Sequence, residues 1–246
     1  METTLFESER RFTAMLLILS TVLFVAGLCF LFFGADFIKF LDVPFDAPPQ
    51  TLLAGLAKHI AAWQWGWGLT TAGVVGTALG LAMLAMLLRG AGDRTFSWLG
   101  MLAFLLGAVL VVMFMAFSLS VTVWAAQEAA EGSAVPDLYR PVALWGNMLL
   151  KIYTVLAFLG MLAYGAAILR TRLLPRWVGW TAIIWSIVWL ARFLLTYDAP
   201  PLLHHVMPLV IGIMLLLRRS QVPVRLGEQE GAAGLQPAVY EEGLSR

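Results

Sequence analysis

Three polar residues, Asn147, Lys151 and Thr154, interrupt an apolar stretch between residues 142 and 169. Their spacing of four and three positions puts them on one face of an α-helix. If the helix enters the membrane near Val142, a rise of ~1.5 Å per residue places Lys151 about 14 Å deep, near the middle of a hydrocarbon core of ~30 Å. An ammonium group at that depth needs water, a ligand or a charged partner, so Lys151 is predicted to mark a functional site.

Other polar residues are predicted to lie near the same, outer end of the membrane. Arg192 lies near the outer end of the fifth apolar stretch, and His204 and His205 begin the sixth. Pro208 cannot donate to the carbonyl of His204, which leaves that oxygen free as an acceptor. Because adjacent helical residues point in different directions, both histidines are not expected to face inward, and capping is favoured over ligation.

These residues predict an outward-facing pocket that binds or transports a small polar or anionic ligand. Lys151 and Arg192 would supply positive charge, and Asn147 would supply hydrogen bonds. The other predicted lining or bordering residues are Gln64, Trp63, Trp67, His204, His205, Glu128 and Asp198. The two acids could instead pair with the two cations.

The opposite halves of the spans are almost entirely apolar, which predicts that this pocket is closed below. Residues 73–88, 99–112, 156–167 and 209–217 contain little that is polar beyond Thr77 and Tyr164. Gly76 and Gly80, extended by Ala72, form a small-residue pattern that predicts a close contact between helices.

Two other functions remain open. An accessory or assembly subunit would pair Lys151 with a carboxylate on a membrane protein partner or on a second copy of the chain. A redox subunit would hold haem b through His59 and either His204 or His205. No cofactor is predicted otherwise. An enzyme is not favoured, because His-Glu-x-x-His and Gly-x-Ser-x-Gly patterns are absent from the sequence and its acids lie in loops or at helix ends.

The composition predicts an all-α polytopic membrane protein. Apolar residues make up 61% of the 246 and charged residues 13%, and the mean hydropathy is +0.84. Soluble domains are nearer 45–50% apolar and about 25% charged. No basic, aromatic-interleaved face suggests a nucleic-acid partner, so the expected environment is the lipid bilayer of a cell (inner) membrane. The lone cysteine, Cys29, excludes an internal disulfide.

Six apolar runs are predicted to span the bilayer within residues 1–219. They cover about 12–33, 60–88, 97–125, 142–169, 177–197 and 201–217. Most arginines fall at one set of span ends, and only Lys39, Lys58 and Arg140 fall at the other. The positive-inside rule therefore predicts that both termini are cytoplasmic. Residues 220–246 are predicted to be a disordered cytoplasmic tail. An inverted repeat of spans 1–3 and 4–6 is left open.

The turn between the fourth and fifth spans contains Leu174, Pro175, Arg176, Trp177 and Gly179. It resembles the Leu-Pro-Arg-Trp-x-Gly turn of uncharacterised families of bacterial six-helix membrane proteins. The resemblance covers about a tenth of the chain. It implies a cytoplasmic turn and no particular activity.

Overall fold

The computed structural model describes residues 2–33, 49–134, 137–197, 200 and 202–218, and the predicted tail at 220–246 lies outside them. The described residues form helices and no strand. The helices are α1 (Glu2–Phe33), α2 (Pro49–Ala57), α3 (Ile60–Gly90), α4 (Phe96–Ala130), α5 (Tyr139–Thr171), α6 (Arg176–Thr196) and α7 (Leu203–Leu217).

Five of these helices, α1, α3, α4, α5 and α6, are long and apolar enough to cross a membrane. The prediction of an all-α multi-pass membrane protein is confirmed at this level. The sixth predicted span corresponds to α7, which is apolar but has only 15 residues. At ~1.5 Å per residue it is about 22 Å long, shorter than a bilayer core of ~30 Å.

The tightest seam joins α1 to α3 through small residues. A Cβ added at Gly73 would lie 2.6 Å from the backbone nitrogen of Phe24, so the two backbones touch. The predicted helix contact at Gly76 and Gly80 is confirmed, because these residues face Ser20 and Leu17 of α1. Ala72 is exposed and is not buried in this seam.

Glycines also set the register of α5 against its neighbours. Gly160 lies against Gly100 of α4, and Gly165 lies against the backbone of Gly179 in α6. The Tyr164 hydroxyl, buried at this level, donates to the Leu81 carbonyl of α3 at 2.7 Å. These contacts make α5 the helix that ties α3, α4 and α6 together.

Most of the described arginines lie at one end of the bundle, which we call the basic end. Arg10 of α1 donates to the carbonyl of Arg218 after α7. Arg170, near the end of α5, lies 3.9 Å from the buried carboxylate of Asp93 between α3 and α4. At the opposite end, the far end, α2 packs on the last turns of α4 through Leu53, Leu56, Ala125, Ala126 and Ala129.

The helices end at different heights at the far end. The 21 residues of α6 extend about 31 Å, whereas the 35 residues of α4 extend about 52 Å. Since all of these helices reach the basic end, α4 continues beyond the last turn of α6. The short α7 begins below it. The far end is therefore stepped, with α6 and α7 as its lower side.

Candidate functional site at the far end

Lys151 lies at the level of the last turn of α6. Its Nζ is 5.6 Å from the centre of the Tyr197 ring, and its side chain is half-buried. Lys151 makes no ion pair and no hydrogen bond with any residue that the structure describes. Tyr197 directly follows a helix of about 31 Å, close to the thickness of a bilayer core. Lys151 therefore lies level with the far end of α6.

The expectation that Lys151 lies near the middle of the bilayer stays a prediction, because the structure gives the level of Lys151 only relative to the other helices. It assumed that the membrane boundary falls where the apolar run begins, at Val142. The helix α5 instead starts at Tyr139 and has 33 residues, so its first turns project beyond the end of α6.

The predicted shared face of α5 runs from the surface into the bundle. Asn147 is exposed, Lys151 is half-buried and Thr154 is buried. One turn farther on, the Phe158 ring lies 4.8 Å from the ring of His204. Along this face the bundle thus closes from Asn147 towards Phe158, as expected for a site that opens at the far end.

Arg192 lies on the exposed side of α6, above a pair of tryptophans. Its guanidinium carbon is 4.9 Å from the Trp189 ring centre, and Trp185 lies 5.7 Å from Trp189, ring centre to ring centre. The Trp185 Nε1 donates to the Leu203 carbonyl at 3.2 Å. This stripe of α6 therefore faces the first turn of α7.

Both histidines of α7 are buried, contrary to the expectation that they could not both face inward. His204 packs beside Tyr153 and Phe158 of α5. His205 stacks on Phe24 of α1 with ring centres 3.7 Å apart. The expectation failed because α7 has helices on two sides, so adjacent side chains that point in different directions are both covered.

The hydrogen bonds around His205 assign its tautomer. Ser20 donates to the Leu16 carbonyl at 2.6 Å, and Thr77 donates to the Ser20 hydroxyl oxygen at 3.2 Å. The Thr77 oxygen, 3.1 Å from Nδ1 of His205, then accepts a hydrogen bond from the N–H at that nitrogen. Nε2 of His205 is left as a buried acceptor with no partner in the described part of the chain.

The geometry does not support a haem held by His59 and His205. His59 precedes the first turn of α3 and is half-buried. His205 contacts Thr77, which lies about 27 Å farther along α3 at ~1.5 Å per residue. Two ligands of one iron must each approach it to about 2 Å, so the predicted similar depth of the histidines was wrong. His204 is next to His205 in α7 and lies against α5 rather than near His59.

Trp63 and Trp67, which were predicted to line the site, lie between α3 and α4 and contact mainly each other and α4. Trp63 donates through Nε1 to the Ser118 carbonyl at 2.8 Å. Trp67 packs edge-on against both Trp63 and Phe114. Gln64, on the same helix, is exposed.

The predicted acids do not reach the cations in the described structure. Glu128, which is half-buried, lies near the end of α4, about 17 Å beyond Phe117 at ~1.5 Å per residue. Phe117 itself lies beside Gly146 of α5. Asp198 lies outside the described residues.

Sequence reasoning missed the partners that organise the far end. Tyr197, Tyr153 and Ser20 were not singled out from the sequence. Thr77 was visible as an isolated polar residue, but only the packing of α7 identifies His205 as its partner. No group of three or more His, Cys, Asp or Glu side chains that could hold a metal ion occurs within the described ranges. The chain matches no protein-family model, no curated protein and no solved structure.

Proposed function

We propose that the chain is a six-span membrane protein of a cell (inner) membrane that binds a small polar or anionic ligand at the far end. In this proposal α7 is the sixth span, the basic end faces the cytoplasm and the far end faces outward. Support for the orientation comes from the arginines, which the contacts of Arg10 and Arg170 gather at one end. Transport would follow if the bound ligand also crosses the bundle.

The observation that supports the proposal is that Lys151 and Arg192 contact aromatic rings instead of acids. Each cation rests on an aromatic ring, and neither forms an ion pair with a carboxylate of the described residues. Cation–π contacts contribute about 0.5–2 kcal/mol, less than a well-formed charge pair in a shielded site. An anion entering between α5 and α6 would supply the missing negative charge.

Unpaired polar atoms also lie deeper in the bundle. The Tyr153 hydroxyl, Trp67 Nε1 and His205 Nε2 are buried and have no hydrogen-bond partner in the described ranges. Buried polar groups are normally satisfied by protein, ordered water or ligand. The Tyr153 hydroxyl belongs to a residue two positions after Lys151, which points to another side of α5 and packs beside His204.

The test is a thermal-unfolding screen of purified protein against small carboxylates, phosphates and sulfonates. A ligand that binds the folded state raises the unfolding temperature by mass action. We expect Lys151→Ala to abolish the shift and Lys151→Arg to retain part of it. Lys58→Ala is the matched control, because Lys58 is exposed and follows α2, which packs on α4. A ligand that shifts Lys151→Ala as much as the wild type would overturn the assignment of Lys151.

The exposure of Asn147 favours one alternative, an accessory subunit. Asn147 and Lys151 share a face of α5 that opens to the surface near the far end, where a carboxylate of a second protein could reach both. Purification in a mild detergent distinguishes the two functions. A stoichiometric partner that is lost in Lys151→Ala supports the accessory role, whereas a single species that responds to small anions supports ligand binding.

A further inference from the structure

A cavity of about 580 Å³ lies at the basic end, between the α5–α6 turn and the end of α7. Its size falls within the roughly 300–1,000 Å³ of small-molecule sites. Its polar lining includes Arg172 and Arg176 from the turn and Arg218 from the end of α7. Leu174, Met214 and Leu217 supply an apolar wall.

The charge of this cavity is not balanced by the protein residues described. Two acids at this end already have partners, since Glu7 pairs with Arg10 and Arg11 and Asp93 with Arg170. No ion pair among the described residues involves Arg172, Arg176 or Arg218. The cavity is therefore lined by three arginines, whose planar guanidinium donors match the oxygens of a phosphate.

The backbone of Arg172 indicates that its side chain has a use. Arg172 ends α5 in the left-handed region with φ of 54°, and its N–H donates to the Ile168 carbonyl. Glycine is the residue that adopts this helix-ending conformation without strain. An arginine in this conformation is strained, and its side chain lines the cavity. Strained backbone conformations cluster at functional sites.

The other wall of the cavity is anchored. Arg10 is 6% exposed and donates to the carbonyl of Arg218, which fixes the end of α7 against α1. Leu217 is 68% exposed on the surface beside the cavity. The cavity thus joins a cationic end to an apolar surface of the bundle, the arrangement that suits an amphiphile.

We infer that this cavity binds an anionic phospholipid, with its phosphate on Arg172, Arg176 and Arg218 and an acyl chain along Met214 and Leu217. A lipid is favoured over a free anion because the apolar wall continues onto the exposed side of α7. The site is separate from the proposed far-end site, since Arg218 follows the last residue of α7 whereas His205 lies in its first turn.

The test is native mass spectrometry of the purified full chain titrated with dioleoyl phosphatidylglycerol, with phosphatidylcholine and inorganic phosphate in parallel. We expect phosphatidylglycerol to bind at least tenfold more tightly than phosphatidylcholine. Arg172→Gly, Arg176→Gln and Arg218→Gln should each weaken it about fivefold, and the triple variant about a hundredfold. Arg94→Gln, which removes an exposed charge outside the cavity, should change it less than about twofold.

Three results would overturn the inference. Arg94→Gln could weaken binding as much as Arg176→Gln, which would indicate diffuse attraction to the basic end. Phosphatidylcholine could bind as tightly as phosphatidylglycerol. Inorganic phosphate could displace the lipid at equal concentration, which would assign the cavity to a free anion. Arg172→Gly separates binding from folding, because glycine relieves the backbone strain at this position and thermal unfolding should show an intact protein.

Discussion

The two ends of the bundle use the same helix ending for different purposes. Both α5 and α6 end in a non-glycine residue with φ of 54°, Arg172 at the basic end and Tyr197 at the far end. Arg172 adds a cation to a cavity that already has two. Tyr197 adds an aromatic face on which the Lys151 cation rests.

The ends also differ in how their charges are compensated. At the basic end Asp93 is completely buried beside Arg170, and Glu7 pairs with two arginines. At the far end the cations Lys151 and Arg192 have ring partners instead. The comparison teaches that Arg10, Arg11 and Arg170 at the basic end pair with acids of the fold, whereas Lys151 and Arg192 at the far end are held by aromatic rings.

The largest effect is expected from the seam that keeps both ends in register. Gly73→Leu would force a side chain against the backbone of Phe24 and should destabilise the protein by about 3 kcal/mol or more. Since Phe24 also stacks on His205 of α7, the far-end site and the cavity at the basic end should be lost together. Gly68→Ala is the control, because nothing lies within 4 Å of a Cβ there. Equal thermal unfolding of the two variants would contradict the described seam.

Removal of one acid at each end tests the difference in compensation. Asp93 accepts a hydrogen bond from the Ser97 N–H at 2.7 Å in the first turn of α4. Asp93→Ala should therefore cost about 1–2 kcal/mol. The exposed Asp137 at the far end provides the comparison, and Asp137→Ala should cost less than about 0.5 kcal/mol. A similar loss of stability in denaturant for both variants would remove the distinction between the ends.

A smaller effect is expected from the polar chain between the ends. Thr77→Val keeps the shape of the side chain and removes the hydroxyl between Ser20 and His205. The expected cost is about 0.6 kcal/mol, the average for hydrogen bonds between membrane helices. Thr181→Val is a matched control, because Thr181 is exposed and bonds only within its own helix. Equal free energies of unfolding for the two variants would show that the hydrogen bonds of Thr77 with Ser20 and His205 do not contribute to stability.

The smallest effect sharpens the parallel between the helix endings. Tyr197→Gly and Arg172→Gly should each leave stability unchanged or raise it by up to about 1 kcal/mol, because glycine adopts the left-handed conformation freely. Tyr197→Gly should also weaken ligand binding at the far end, since Lys151 loses its ring. A loss of stability in both variants would show that the side chains, rather than the backbone conformation, determine these endings.

The coarse architecture was predictable because apolar runs of bilayer length have one common structural outcome. The positions of α1, α3, α4, α5 and α6 follow from such runs. The level of Lys151 relative to the end of α6 was not predictable, since the sequence does not show that α5 extends beyond α6. The burial of His204 and His205 was also missed, because it depends on which helices flank α7 and not on the pattern within α7.

The basic cavity was missed for a related reason. Arg172, Arg176 and Arg218 were all explained by the positive-inside rule, which accounts for charge at a span end without bringing any two arginines together. Their convergence depends on the packing of α7 against α1, a contact between residues at opposite ends of the chain. Single-sequence patterns contain no direct signal for such a contact.

The most direct test of the account is the depth of residue 151 in a bilayer. Cys29→Ser removes the single native cysteine, and spin labels can then be placed by Lys151→Cys, Leu159→Cys and Tyr197→Cys for power-saturation measurements against oxygen and a water-soluble nickel chelate. The account predicts that labels at 151 and 197 lie at the same headgroup level, with the label at 159 about 12 Å deeper. A label at 151 that lies at the bilayer centre, far below the one at 197, would contradict it.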